Sequence, residues 1–189
     1  MTQQVRTSQH VPPTEVYVRI RLLLALFSSL KYFHSAFWRT YPPNTNYGFL
    51  QSHAKAPILD LQWSLSSPLL YSVSADHTLC FTDVTTSKRV RKIRAHREII
   101  NSLDRTMATG SGIELLATGS DDSTVKIWEG GDEAGKQPVA TFDVGCPVTS
   151  VCWGSDGNSV YIGAIDNEIH VCFPPHTSHH PILMLSCLW

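Results

Sequence analysis

One recurring pattern constrains the fold of this chain more than any other: a turn aspartate followed three positions later by an aliphatic residue. The aspartates of the three copies, Asp76, Asp122 and Asp166, stand 46 and 44 residues apart. Trp63 and Trp153 stand 90 residues apart, which is two such periods. A period of roughly 40–45 residues is typical of the four-stranded blades of a β-propeller. The sequence therefore predicts an all-β protein built from repeated antiparallel sheets.

The middle copy indicates how one repeat folds. Residues 115–118 are rich in β-forming side chains, residues 119–123 carry tight-turn chemistry, and residues 124–128 alternate again. This pattern predicts a β-hairpin. On its second strand Val125 and Ile127 share one face, and the tryptophan of that strand lies on the other face, where its indole N–H needs a partner.

Four residues of this repeat suit a polar chain inside an otherwise apolar sheet: His96, Thr118, Asp122 and Trp128. A turn carboxylate accepts hydrogen bonds from backbone N–H groups or from a histidine, and a buried indole N–H usually finds an acceptor. We expect this chain of side chains to fix the turn, chiefly as a contribution to stability.

Several short segments distinguish this chain from WD40-type repeats in general: residues 74–76 with 78–79, 96–102, 119–122, 147–149 and 163–169. Because of these segments, the sequence from about Trp38 to Phe173 resembles the WD40-repeat subunits of the spliceosomal U5 small nuclear ribonucleoprotein, in their fungal form. The resemblance implies a seven-bladed propeller that binds the large U5 scaffold protein and takes part in pre-mRNA splicing in the nucleus, without catalysis. This chain holds about three blades and the end of an earlier one, so an incomplete propeller is expected.

The resemblance also implies a stabilising tetrad of His, Ser or Thr, Asp and Trp in each repeat. The repeat before the middle one keeps three members: His53, Ser72 and Asp76. Thr82 replaces its tryptophan. The following repeat keeps only Asp166, with Cys172 in the place of tryptophan and no histidine before its first strand.

The pattern divides the chain into three parts: a divergent segment at 1–37, WD40 repeats at 38–173 with blades around 53–94, 96–142 and 143–173, and a divergent tail at 174–189. Repeat character is expected to end at Phe173, because two consecutive prolines follow and interrupt a regular paired strand. Residues 16–30 are strongly apolar, but Arg19 and Arg21 interrupt them. The uncharged part, residues 22–30, has nine residues, short of the roughly 20 that a membrane helix needs. A buried strand or helix is the favoured interpretation of that stretch, and a partial gene product would explain both divergent ends.

Composition narrows the function classes. A net charge of −1 gives no field that would attract nucleic acid or an acidic membrane. The five cysteines show no paired spacing, which favours a reducing, intracellular compartment. No nucleophile–base pair or phosphate loop is present, and the adjacent Asp121 and Asp122 make a poor catalytic dyad. We expect no enzyme, no cofactor and no small-molecule substrate.

The nearest approach to a metal cluster lies in the tail: His176, His179 and His180, with Cys172 or Cys187. Their order and spacing match no standard zinc module, so no metal site is predicted.

One dense basic stretch is formed by Lys88, Arg89, Arg91, Lys92 and Arg94. A solvated edge strand is the favoured interpretation, since basic residues discourage edge-to-edge pairing. A nuclear-import or phosphate-contacting patch is the alternative.

Partner binding is expected at the loops beside the turn aspartates, with Ala75, Asp121 and Ile165 as candidates. The function predicted is a protein-interaction scaffold in splicing. Two alternatives stay open: another WD40 adaptor, such as a ubiquitin-ligase substrate receptor or a chromatin-complex subunit, and a non-functional partial gene product.

Overall fold

A computed structural model describes residues 16–17, 33–39, 46–53, 56–131, 135–174 and 183–188. These residues form fifteen β-strands in four antiparallel sheets. Side chains are described at 50–53, 56–131 and 135–174. Within the described part of the chain, no helix has the length and hydropathy that a membrane crossing requires.

The sheets follow one another along the chain. Sheet 1 contains β1 (Val16–Tyr17), β2 (Phe33–Arg39) and β3 (Asn46–His53). Sheet 2 contains β4 (Ile58–Trp63), β5 (Leu69–Ser74), β6 (Thr78–Asp83) and β7 (Lys88–Arg94). Sheet 3 contains β8 (Ile100–Met107), β9 (Glu114–Ser120), β10 (Thr124–Glu129) and β11 (Ala140–Asp143). Sheet 4 contains β12 (Val148–Trp153), β13 (Val160–Ala164), β14 (Glu168–Phe173) and β15 (Leu183–Leu188).

The hairpin predicted in the middle repeat is confirmed. Strands β9 and β10 pair antiparallel, with Val125 opposite Gly119. The residue after each turn aspartate takes a left-handed conformation in all three repeats: φ is 66° at His77, 67° at Ser123 and 65° at Asn167. Such a turn lets the chain reverse within three residues, and it places the aspartates at the same edge of sheets 2, 3 and 4.

Apolar layers lie between successive sheets. One layer joins sheets 2 and 3 and includes Tyr71, Phe81, Leu103 and Trp128. A second joins sheets 3 and 4, with the aliphatic face of β10 against Val151, Trp153 and Ile162 among others. The two faces of β10 therefore contact different neighbouring sheets, as its alternating pattern predicts. Stacking of sheet on sheet gives the arc of an incomplete WD40 propeller.

The first strands of sheets 2, 3 and 4 are also joined by carboxylates. Asp60 on β4 accepts a hydrogen bond from the backbone N–H of Leu103 on β8, at 2.8 Å. Asp104 on β8 accepts one from the N–H of Trp153 on β12, at 2.7 Å. Burial raises the pKa of Asp60, although the N–H donors oppose that shift. These bonds fix how far one sheet can slide past the next.

Both ends of the repeat region extend further than the sequence indicates. Strand β2, which contains Trp38, pairs with β3 as a strand of an earlier blade, and β1 adds a third strand to the same sheet. Strand β14 ends at Phe173, before the prolines, as expected. The chain nevertheless returns as β15, which pairs with β14 along its whole length. Sheet 4 therefore includes a strand from beyond the predicted repeat region, while the domain boundaries at 38 and 174 stay predictions.

The apolar segment at residues 16–30 lies outside the described residues, except for β1, so a buried strand or helix there stays a prediction.

Candidate functional site

The four side chains singled out in the middle repeat form one hydrogen-bonded chain. His96 Nδ1 lies 3.0 Å from each oxygen of the Asp122 carboxylate. His96 Nε2 lies 2.8 Å from Thr118 Oγ1, and the Trp128 indole N–H donates to that same oxygen at 3.0 Å. The chain starts in the turn between β9 and β10, passes through the loop before β8, and continues to Thr118 on β9 and Trp128 on β10.

The His96 ring is neutral at physiological pH. Burial lowers its pKa to about 4, against the opposing effect of the Asp122 carboxylate. The partners then assign the protons: Nδ1–H donates to Asp122, and the Thr118 hydroxyl donates to Nε2 while it accepts from Trp128. Every polar atom in the chain has a partner, so burial leaves no donor or acceptor unsatisfied.

The Asp122 carboxylate is held in its charged form. Burial by itself raises its pKa, but hydrogen bonds from Thr124 and from the backbone N–H of Arg97, together with the His96 ring, lower it to about 2. The Thr124 hydroxyl lies 2.6 Å from Asp122 Oδ1, and the Arg97 N–H lies 2.9 Å from Oδ2. This carboxylate therefore ties the loop before β8 to the tip of the β9–β10 hairpin.

Sheet 2 repeats the arrangement with three of the four members. His53 Nδ1 lies 3.1 Å from Asp76 Oδ1, and Nε2 lies 3.0 Å from Ser72 Oγ. The Lys92 ammonium adds an ion pair to Asp76 at 2.8 Å. Burial raises the pKa of Asp76, but Lys92, the Thr78 hydroxyl and His53 outweigh it and lower the pKa well below its usual range.

Thr82 stands where sheet 3 has its tryptophan, and it makes a different contact. Its hydroxyl lies 2.9 Å from Ser52 Oγ on β3. The hydrogen bond therefore connects sheet 2 to sheet 1 and leaves the network of its own hairpin without an indole donor.

Sheet 4 departs most from the pattern, and sequence reasoning missed its histidine. Asp166 Oδ2 lies 2.8 Å from Nε2 of His170 on β14 and 3.2 Å from Sγ of Cys146, which precedes β12. The backbone N–H of Glu168 occupies Oδ1 at 3.0 Å. This N–H, the Cys146 thiol and His170 lower the pKa of Asp166 to about 2. The histidine comes from the hairpin itself, so a search before the first strand could not find it.

The three candidate partner-binding residues lie at one edge of the sheets. Ala75, Asp121 and Ile165 each donate a backbone N–H hydrogen bond to the loop before the first strand of the same sheet. Ile165 is 61% exposed, and Asp121 is exposed while its Oδ1 accepts a 2.6 Å hydrogen bond from Asn101. The hairpin tips are thus held rigid while two of their side chains face solvent.

The basic stretch forms β7, the last strand in the order of sheet 2. Arg89 bonds the carbonyl of Ser52 at 3.1 Å. Arg91 lies 4.0 Å above the Phe81 ring, and Lys92 pairs with Asp76 as described. Lys88 and Arg94 are exposed. The strand thus lies at an edge of its sheet, but three of its five basic side chains contact other groups of the protein. A nuclear-import or phosphate-contacting role stays a hypothesis.

A buried carboxylate, which sequence reasoning missed, joins sheets 2 and 3 at the opposite edge. Glu114 is 3% exposed. It accepts hydrogen bonds from the hydroxyls of Ser64 at 2.6 Å and Tyr71 at 2.9 Å, and from the Leu65 N–H at 2.8 Å.

Of the tail histidines and cysteines considered as metal ligands, only Cys172 has a described side chain, and it is buried in the apolar layer of sheet 4.

Sheet order, hairpin geometry and the histidine–aspartate networks define a WD40 β-propeller protein. A family model described as "WD domain, G-beta repeat" matches residues 44–83, 87–129 and 136–172. The chain belongs to the WD40-repeat family.

The chain is similar to a pre-mRNA-splicing factor and to a U5 small nuclear ribonucleoprotein component. It is 36% identical over 134 residues to the pre-mRNA-splicing factor cwf17 of Schizosaccharomyces pombe, which covers 71% of this chain and 37% of that protein. It is 33% identical over 134 residues to the U5 small nuclear ribonucleoprotein 40 kDa protein of Dictyostelium discoideum, covering 71% and 36%. The resemblance noted from the sequence is thereby confirmed, and the chain spans little more than a third of these relatives.

A weaker similarity reaches beyond splicing. The chain is 32% identical over 106 residues to Protein HIR1 of Cryptococcus neoformans var. neoformans serotype D, covering 54% of this chain and 12% of that protein. Part of the sequence similarity is therefore shared by WD40 repeats in general. None of these three relatives is named as an enzyme.

Proposed function

We propose that this chain is a non-catalytic protein-interaction scaffold of the U5 small nuclear ribonucleoprotein and takes part in pre-mRNA splicing in the nucleus. The observation that carries the proposal is the similarity, over 134 residues, to proteins named as a pre-mRNA-splicing factor and as a U5 component. The partner proposed is the large U5 scaffold protein, with any RNA contact indirect.

The networks support a scaffold role, because they hold hairpin tips in fixed positions. Asp122 connects the tip of the β9–β10 hairpin to the loop before β8, and Asp76 connects the tip of the β5–β6 hairpin to the end of β3 through His53. A rigid edge with exposed side chains at Asp121 and Ile165 loses little entropy when a partner binds. We place the partner-binding surface at this edge.

Co-purification from a splicing-competent cell tests the proposal. A tagged form of the chain, expressed in Schizosaccharomyces pombe, is expected to enrich U5 RNA over the other small nuclear RNAs. Asp121→Lys is expected to reduce that enrichment, because it reverses a charge at the proposed edge. Glu129→Lys is the matched control, since Glu129 is exposed at the other end of β10.

Three results would contradict parts of the proposal. A tagged chain that brings down no U5 RNA but a different defined complex would favour another WD40 adaptor. Recovery only in aggregates would favour a non-functional partial product. Equal enrichment with Asp121→Lys and with the unchanged chain would remove the β9–β10 tip from the interface while leaving the splicing role in place.

A further inference from the structure

The hairpin tip of sheet 4 presents a different chemistry from the tips of sheets 2 and 3. At Asp122 both carboxylate oxygens accept a hydrogen bond from a backbone N–H: Oδ1 from Thr124, whose hydroxyl also donates to it, and Oδ2 from Arg97. A metal ion bound to either oxygen would displace a backbone donor and leave it unpaired. At Asp166 only Oδ1 is taken by a backbone N–H. Its Oδ2 faces a thiol and an imidazole instead.

These three groups converge on one point. One ligand atom each from Cys146, Asp166 and His170 lies within 4.8 Å of the other two. Thiolate, carboxylate and imidazole are the ligands that bind Zn²⁺ in proteins, with metal–ligand distances of about 2.0–2.3 Å. Ligand atoms around a tetrahedral zinc ion are then roughly 3.3–3.6 Å apart. The observed separations of 2.8 and 3.2 Å need to widen by only a few tenths of an ångström.

An ion can reach these three residues from solvent, and the strands around them hold the side chains in place. The Asp166 side chain is 30% exposed, so the cluster can be reached from solvent, whereas His170 is 8% exposed and held within β14. Cys146 lies two residues before β12. An ion at this point would join the start of β12 to the β13–β14 hairpin, the two elements that His96 and Asp122 join in sheet 3.

We propose that Cys146, Asp166 and His170 form a binding site for Zn²⁺, with a water molecule as the fourth ligand. The ion replaces the thiol proton of Cys146, so one proton is released for each Zn²⁺ bound, and His170 binds as the neutral imidazole through Nε2. In this sheet the metal supplies the cross-connection that the histidine–aspartate pair supplies in sheets 2 and 3. The site is a feature of this chain and does not depend on the splicing role.

Cobalt titration of the purified, reduced, metal-free chain tests the site. Co²⁺ occupies zinc sites and gives a thiolate-to-metal charge-transfer band when cysteine is a ligand. We expect the band to saturate at one equivalent of Co²⁺ and to disappear on addition of Zn²⁺. Cys146→Ser is expected to abolish the band and to raise the Kd for Zn²⁺ by more than about 10-fold, the effect that even indirect changes to a metal site reach.

Two variants serve as matched controls. Cys152→Ser removes an exposed cysteine on β12 and is expected to keep the band. A second control replaces His176, His179 and His180 with serine, which removes the histidine cluster near the end of the sequence. Loss of the band in either control would overturn the proposal, as would a band of unchanged intensity in Cys146→Ser.

A measurement on the unchanged chain covers the case in which Cys146→Ser fails to fold. Zn²⁺ is expected to slow alkylation of Cys146 by iodoacetamide, as quantified by peptide mass spectrometry, while Cys152 reacts at the same rate with and without the ion. Equal alkylation of Cys146 in both conditions would overturn the proposal.

Discussion

Tyr71 and Glu114 stand on neighbouring sheets, and the Tyr71 hydroxyl donates a 2.9 Å hydrogen bond to Glu114 Oε2. The same hydroxyl accepts a 2.8 Å hydrogen bond from the Gly131 N–H. Burial, with the nearby Glu114 charge, raises the pKa of Tyr71 to about 12, so it stays a donor throughout the physiological range. The pair shows that polar contacts, as well as apolar layers, connect successive sheets.

Glu114→Gln is expected to lower the free energy of unfolding by about 1–3 kcal/mol. The amide cannot accept all of the hydrogen bonds that the carboxylate accepts from Ser64, Leu65 and Tyr71, and buried donors left unpaired carry a cost of that size. Urea denaturation measures the change. Glu129→Gln, at an exposed position, is the control and is expected to change stability by less than about 0.5 kcal/mol. Equal effects of the two substitutions would argue against the role assigned to Glu114.

Acid is expected to destabilise the fold between pH 6.5 and about 4. The pKa of His96 falls from 6.5 to about 4 on folding. The unfolded chain therefore binds a proton in this range that the folded chain does not bind, and stability decreases as the pH falls. The contribution of His96 is about 3 kcal/mol at most. Burial lowers the pKa of His53 as well, so it acts in the same direction.

Chemical denaturation at a series of pH values checks this expectation, with His96→Gln as the comparison. The variant is expected to show a shallower loss of stability between pH 6.5 and 4. Below about pH 3.8, both proteins should lose further stability, because Asp122, whose folded pKa is about 2, must be protonated on unfolding. Parallel curves for the two proteins above pH 4 would contradict the assignment of a neutral, buried His96.

The hydrogen bond between Trp128 and Thr118 is expected to contribute about 1 kcal/mol to stability. A double-mutant cycle isolates it: Trp128→Phe should be less destabilising in the Thr118→Val background than alone, by roughly that amount. Trp128→Phe also removes ring volume, but that loss is common to both backgrounds. A coupling energy near zero would mean that the indole acts only through packing.

Gly119→Ala is expected to destabilise the contact between sheets 3 and 4 by about 1–3 kcal/mol. A Cβ atom at this position would lie 2.6 Å from Val148 Cγ1 and 2.9 Å from Val151 Cγ1. Gly135→Ala is the control, because the nearest atom to its added Cβ lies at 3.9 Å. Thermal unfolding compares the two. Adding Val148→Ala should recover part of the loss, and no recovery would place the cause elsewhere.

Local sequence was sufficient to predict the strands and hairpins of sheets 2 and 3. The turn residues between β9 and β10, and the alternation of Val125 and Ile127 with Trp128, act within a few residues of one another. Secondary structure that depends on such short-range preferences can be recognised as a pattern in the amino-acid sequence. The spacing of His96, Thr118, Asp122 and Trp128 likewise pointed to a network that the structure assembles.

The site in sheet 4 could not be predicted in the same way. His170 lies four residues after Asp166, on a strand, and nothing in that spacing distinguishes it from any other strand histidine. The strand β15 follows two prolines and residues with no repeat pattern, so only its pairing with β14 identifies it. Such features depend on which segments meet in space.

Backbone preferences and side-chain alternation act locally, so the residues alone predict the all-β class, the repeat period, the position of each turn aspartate and the faces of the strands. Which distant groups meet depends on the complete fold: Glu114 with Tyr71, Asp104 with the Trp153 N–H, and Asp166 with Cys146 and His170. Contacts between residues tens of positions apart depend on how the sheets stack, and stacking is set by the summed packing of many side chains rather than by any one motif.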